Sequence, residues 1–180
     1  MRLAAVFVVL SVLPATADTE ADQYGTLNPE ELSINRVLKD IEDGMTSMTN
    51  CATGYFITKS GDHTNARKVF TRCAQDGYSG AMTWMGQMDD NGLGGPENPA
   101  AAAAWDRQAA ATGDPVGQFN LGLDLLRGRG VARDEVAGRA LIDQAADQGL
   151  SMARRLQGAD YDTDEVTPDA DNWKYGQRLF

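Results

Sequence analysis

Small and apolar residues recur through the middle of the chain with the spacing of helices that bury one face. The clearest stretch begins with a helical pattern over 117–126, which two glycines between 127 and 130 interrupt. Glycine suits that position because it adopts positive φ without steric cost. Asp134 is then a favourable N-cap for a second helix, which ends at Gly149 and carries Ala137, Leu141 and Ala145 on one face. The pattern predicts a helical hairpin.

The same order of elements returns every 36 residues when the chain is laid over itself without gaps. Gly77, Gly113 and Gly149 coincide, as do Ala74, Ala110 and Ala146. A fixed stride of this length is typical of a solenoid, in which each hairpin buries its apolar face against its neighbours. The predicted helices lie at 45–58 and 62–75, at 81–90 and 99–112, at 117–126 and 135–148, and in a truncated closing helix at 152–157.

The first 17 residues have the three parts of a secretory signal peptide. Arg2 precedes an apolar run over 3–13, and Ala15-Thr16-Ala17 offers a small-residue cleavage site before Asp18. As a helix the run would reach about 16 Å, roughly half of a bilayer core, so we expect no lasting membrane anchor. The alternative is an apolar N-terminal helix that stays in the fold. Cleavage predicts a periplasmic or secreted protein, with 18–44 as a lead-in and capping helix.

The two cysteines, Cys51 and Cys73, both lie in the predicted exported part. An isolated even pair in an oxidising compartment predicts a disulfide. Their spacing is too long for C-x-x-C redox chemistry, and with a single histidine they fall short of a closed zinc site. We therefore expect no metal and no cofactor.

The third repeat carries a family resemblance. Its residues Leu121-Gly122, Gly128, Gly130-Val131, Asp134, Leu141, Ala145-Ala146 and Gly149 resemble the Sel-like (Sel-one-like) repeat, a relative of the tetratricopeptide repeat. The resemblance covers 45–158 and is weakest in the first unit. It implies an all-α, right-handed α/α superhelical solenoid of about three 36-residue hairpins, followed by a C-terminal cap or tail at 159–180.

The resemblance also implies a concave groove lined by the first helix of each hairpin. Mapped onto this chain, the groove residues are Thr83, Gln87, Asp90, Phe119, Leu123 and Arg127. Their mixed aromatic, apolar and polar character suits binding of another protein or a peptide. Helical spacing alone leaves open the alternative that Phe119 and Leu123 pack in the core between repeats.

Charge and motif content narrow the function classes. The formal charge of −10, with no basic stripe, disfavours nucleic acid as a partner. No G-x-S-x-G, S-x-x-K or H-E-x-x-H motif occurs, so no catalytic residues are assigned. The lone His63 is interpreted as a solvated first-turn residue, and the adjacent Asp89 and Asp90 as loop and cap residues. The leading prediction is an exported interaction scaffold or regulator that is not an enzyme.

Two other functions stay open at this point. Some cysteine-rich members of the repeat family are linked to penicillin binding or β-lactam hydrolysis, so an envelope hydrolase is the alternative; a purely structural envelope component is the third. The C-terminal segment is acidic from 160 to 171 and ends with Trp173, Tyr175 and Phe180. It is either a tail or cap of the solenoid, or a docking peptide.

Overall fold

The computed structural model describes residues 33–166, which form eight α-helices and one short 3-10 turn without any strand. The predicted signal peptide and its Ala17–Asp18 cleavage site lie outside these residues. The helices are α1 Ile34–Glu42, α2 Met48–Lys59, α3 His63–Gln75, α4 Ser79–Asp90, α5 Pro99–Ala111, α6 Pro115–Arg127, α7 Glu135–Asp147 and α8 Ser151–Gly158; the 3-10 turn is Thr163–Glu165.

Each helix packs mainly against the next one along the chain, with further contacts of α1 to α3 and of α4 to α6. The pairs α2–α3, α4–α5 and α6–α7 are the three predicted hairpins, and α8 is the first helix of an incomplete fourth. The prediction of an all-α solenoid is confirmed. One boundary differs by three residues: α2 starts after Ser47, whose side chain accepts a hydrogen bond from the Asn50 N–H, and not at Met45.

The residues at the two ends of each second helix recur at the 36-residue stride. The N-caps are Asp62, Asn98 and Asp134, and each side chain accepts a hydrogen bond from the N–H three residues later. Each of these helices is followed by a glycine with positive φ, at Gly77, Gly113 and Gly149. These local signals fix where every second helix begins and ends.

The loops of the second and third repeats each lie directly on the repeat before. A methyl group at Gly94 would come within 2.6 Å of the His63 carbonyl oxygen, and one at Gly130 within 2.0 Å of the Pro99 oxygen. Both glycines have a φ of +69°. The two contacts are 36 residues apart, so glycine here allows consecutive repeats to approach closely as well as allowing the turn.

The apolar core has two parts. The first part lies among α1 to α5 and includes Phe70, Ile57 and Met88; the second lies among α6, α7 and α8 and includes Phe119, Ile142 and Leu156. Small residues let helices approach within the second part: a methyl group at Gly122 would lie 3.0 Å from the carbonyl oxygen of Gly138 on the facing helix.

Cys51 on α2 and Cys73 on α3 form the predicted disulfide, with their Cα atoms 5.9 Å apart. Both residues are buried. The bond therefore joins the two helices of the first hairpin within the core.

Residues 159–166 pack against the end of the solenoid. The Tyr161 hydroxyl donates to Asp143 Oδ1 at 2.6 Å, an Arg127 Nη2 donates to the Thr163 carbonyl at 3.2 Å, and Val166 contacts the second core. The acidic and aromatic segment beyond them, with Trp173, Tyr175 and Phe180, lies outside the described residues.

Candidate partner-binding cavity

A cavity of about 510 Å³ lies between α4, α5 and α6, at the junction of two repeats. The side of α6 that faces it carries residues at helical spacing, from Val116 through Asn120 to Arg127. Five of the six predicted groove residues line it. The full lining is Thr83, Trp84, Gly86, Gln87, Asp90, Asn91, Asp106, Val116, Asn120, Leu123, Asp124, Arg127, Arg129 and Met152.

The assignment of Phe119 to the groove was wrong. Its side chain is 2% exposed and packs in the second core with Leu126 and Ile142. It therefore lies on the side of α6 that faces α7, away from the cavity. Leu123 is at the boundary, because it lines the cavity and also contacts the second core. Binding by the other five residues stays a prediction.

The floor of the cavity contains Asp106, a residue that the sequence reasoning missed. Its side chain projects from α5 toward Gly86, where a methyl group would lie 2.9 Å from each carboxylate oxygen. Asn120 Nδ2 donates to Asp106 Oδ1 at 3.1 Å. Asp106 is only 6% exposed, and this burial raises its pKa to about 7, against the opposing effect of the Asn120 hydrogen bond.

Asp124 lies one helical turn after Asn120 and lines the same cavity. Its Oδ2 atom is buried and has no hydrogen-bond partner among the described residues. Burial raises the pKa of Asp124 to about 7, and the nearby charge of Asp90 raises it further, whereas Arg127, Arg129 and Arg107 act in the opposite direction. Two carboxyl groups in this cavity therefore change charge near neutral pH.

The arginines of the cavity wall already have acceptors. Arg129 Nε donates to Asp90 Oδ1 at 2.6 Å, and its Nη2 donates to the Asp90 carbonyl and, at 3.0 Å, to Glu97. These bonds with Asp90 raise the pKa of Arg129 and tie the loop of one repeat to the first helix of the previous one. Arg127 reaches the Thr163 carbonyl.

Asp89 and Asp90 were wrongly interpreted as loop and cap residues, since both lie in the last turn of α4. They diverge around the helix, as adjacent residues must. Asp90 faces the cavity, whereas Asp89 is buried on the other side and pairs with Arg67 Nη1 at 2.6 Å. Arg67 also donates to the Leu93 carbonyl, so this pair anchors the loop after α4.

His63 is the first residue of α3 and is half-buried, so its interpretation as a solvated side chain was wrong. The loop at Gly94 covers it, and its Nδ1 has no hydrogen-bond partner among residues 33–166. Within the same residues, no group of three or more His, Cys, Asp or Glu side chains could hold a metal ion. No helix in the described part of the chain is long and apolar enough to cross a membrane.

A known repeat family has the same 36-residue register as this chain. The model of the Sel1 repeat matches residues 79–114, which hold α4 and α5, and residues 115–150, which hold α6 and α7. Residues 79–150 therefore match two consecutive Sel1 repeats. The resemblance found in the sequence is confirmed, and the α2–α3 hairpin, with the weakest pattern, lies before the matched residues.

Solved structures of other proteins share the Sel1-repeat fold. A Sel1 repeat protein from Oxalobacter formigenes is 29% identical, with a TM-score of 0.57 over 61% of this chain and 44% of that one. The c5321 protective antigen of uropathogenic Escherichia coli, described as having an SLR fold, is 24% identical, with a TM-score of 0.50 over 69% of this chain and 33% of that one. Cysteine-rich protein B of Helicobacter pylori is 19% identical, with a TM-score of 0.55 over 67% of this chain and 89% of that one. No curated protein matches the chain.

The raised pKa of Asp106 predicts that the free energy of unfolding depends on pH. Because its folded pKa is raised above the unfolded value of 3.8, the folded state holds more protons, and stability falls as pH rises from about 4 to about 7. Asp106→Asn removes the ionisable group, and the oxygen of the new amide can accept the hydrogen bond from Asn120 Nδ2. We expect the variant to be more stable than the wild type by about 1–3 kcal/mol at pH 8 and nearly equal at pH 4.

Urea unfolding at the two pH values measures this difference. The matched control is Asp147→Asn, an exposed residue on α7. A stability gain at pH 8 no larger than that of the control would contradict the claim that ionisation of buried Asp106 destabilises the fold. The other ionisable groups near Asp106 are left unchanged in the variant: Asp90, Arg107, Asp124, Arg127 and Arg129.

Proposed function

We propose that this protein is an exported protein–protein interaction scaffold or regulator, which receives a segment of its partner in the cavity between α4, α5 and α6. The observation that carries the proposal is the cavity itself, since it opens between two Sel1 repeats and is lined by five residues expected to contact a partner. Sel1-repeat proteins are generally interaction scaffolds. The mixture of apolar and polar groups in the cavity suits a peptide segment.

The disulfide supports export. Cys51 and Cys73 are both buried and bonded, and such bonds persist in oxidising compartments such as the periplasm. The signal peptide expected at 1–17 would direct the chain there. Periplasmic or secreted location is therefore part of the proposal.

The cavity gives less support to the alternative of a β-lactam hydrolase. Acyl transfer from a β-lactam requires an activated nucleophile. Among the described cavity residues the one hydroxyl belongs to Thr83, and it donates to the Gly80 carbonyl at 2.9 Å. We expect the purified protein to leave nitrocefin unhydrolysed; turnover that Thr83→Val abolishes would favour the hydrolase.

Photocrosslinking in the source cells tests the scaffold. A crosslinking amino acid replaces Gln87, which is exposed at the cavity, or Ala140, which is exposed on α7. We expect a discrete crosslinked species from position 87 and none from position 140, because α7 does not line the cavity. Absence of a species from position 87, or the same species from both positions, would overturn the proposal.

A further inference from the structure

We propose that the partner segment inserts a basic side chain, lysine or arginine, into this cavity, where Asp106 and Asp124 receive its charged end. This inference rests on the proposed function of the cavity as a partner-binding site and names the chemistry of what it binds.

Both carboxylates occupy positions that the preceding repeat fills with apolar groups. At the 36-residue stride Asp106 corresponds to Phe70 and Ile142, and Asp124 corresponds to Met88. These three apolar residues are fully buried in the core. Replacement of a core side chain by a carboxylate disfavours folding unless the charge has a partner, so a charge at both positions points to binding.

The protein itself leaves these carboxylates with unused acceptors. Asp106 accepts one hydrogen bond, from Asn120 to Oδ1, although its side chain is more than nine-tenths buried. The Oδ2 atom of Asp124 is buried and accepts none from the described residues. An ionised carboxylate can accept about four hydrogen bonds, so each of these two side chains has acceptor capacity that the protein leaves unused.

The neighbouring cations are already engaged elsewhere. Arg129 binds Asp90 and Glu97, and Arg127 reaches the Thr163 carbonyl at the end of the solenoid. The cavity lining therefore holds three carboxylates, those of Asp90, Asp106 and Asp124, against two guanidinium groups. A cation from the partner would match the third carboxylate and donate hydrogen bonds to the acceptors that the protein leaves unused.

The walls of the cavity suit the hydrocarbon stem of a basic side chain. Trp84 and Val116 are joined by Leu123 and Met152 along the lining. Lysine and arginine bury their methylene groups against such apolar surface while their charged ends contact polar groups. The formal charge of −10 on the whole chain further favours approach of a basic partner.

Peptide titration followed by NMR tests the proposal on the purified protein with its disulfide formed. The probes are acetyl-Ala-Ala-Lys-Ala-Ala-amide, its arginine counterpart, and a version with norleucine in place of lysine, which keeps the stem and loses the charge. We expect the lysine and arginine peptides to shift amide signals of α4, α5 and α6 residues at the cavity, with affinity at least about tenfold above the norleucine peptide. Asp106→Asn combined with Asp124→Asn should remove that preference, whereas Asp147→Asn should keep it.

Equal affinity for the norleucine peptide, or an unchanged preference in the double variant, would overturn the basic-side-chain proposal while leaving the cavity a binding site. Absence of shifts at the cavity with all three peptides would also overturn it. Photocrosslinking from position 87 tests the proposed function separately, because that measurement does not depend on the charge of the partner segment. Circular dichroism of the double variant confirms that loss of binding is not loss of fold.

Discussion

Gly130→Ala is expected to lower the free energy of unfolding by about 3–5 kcal/mol. The residue has a φ of +69°, where a side chain is strained, and its new methyl group would come within 2.0 Å of the Pro99 carbonyl oxygen. Backbone on both sides must then move, and the loop of the third hairpin would lift from the start of α5. Denaturant unfolding measures the loss.

Gly113→Ala is the matched control, because it separates backbone strain from the contact between repeats. Its φ is +86°, but nothing lies within 4 Å of the position of a new methyl group. We expect a loss of about 1–2 kcal/mol there, from the left-handed conformation alone. Equal losses at the two positions would mean that the close approach at Gly130 does not hold the repeats together.

The fold could be predicted from the sequence because the same local signals occur in several repeats. The caps Asp62, Asn98 and Asp134 and the glycines after the second helices are local signals, and each fixes a helix end without knowledge of the tertiary structure. The recurrence of the signals at one stride then implies stacking. The largest shift is at the start of α2, in the unit whose pattern is weakest.

The site followed from the sequence only in part, since periodicity defines a helix face without showing what covers it. Phe119 and Leu123 are four residues apart on α6, yet one is buried against α7 and the other reaches the cavity. Asp106 could have been found by its register, because a carboxylate stands where the adjacent repeats have Phe70 and Ile142. The signal was a break in the repeat at a core position.

Two equivalent glycines face different residues in the second and third hairpins. Gly122 faces Ile142 across the third hairpin, and Gly86 faces Asp106 at the equivalent place in the second. The same close helix approach therefore forms core in one repeat and the floor of a cavity in the other. The cavity therefore forms where the sequence departs from the repeat, and the residues that follow the repeat pack around it.

Removal of the disulfide by the double change Cys51→Ala and Cys73→Ala is expected to cost about 3 kcal/mol in unfolding free energy. The bond closes a loop with a sequence separation of 22, and the unfolded chain gains the corresponding entropy when the bond is absent. Alanine is the appropriate replacement at position 73, because Ala109 and Ala145 occupy the same place in the other repeats.

The loss should be greatest where the repeat pattern is weakest. The bond lies in the α2–α3 hairpin, outside the two matched Sel1 repeats, and α1 packs on the same two helices. Hydrogen exchange should therefore accelerate more in α1 to α3 than in α6 and α7, whose second core has no disulfide. Reduction of the wild type should reproduce the change. Unaltered exchange in α1 to α3 after removal of the bond would show that the hairpin is held by packing alone, and that the disulfide contributes little to the frame of the cavity.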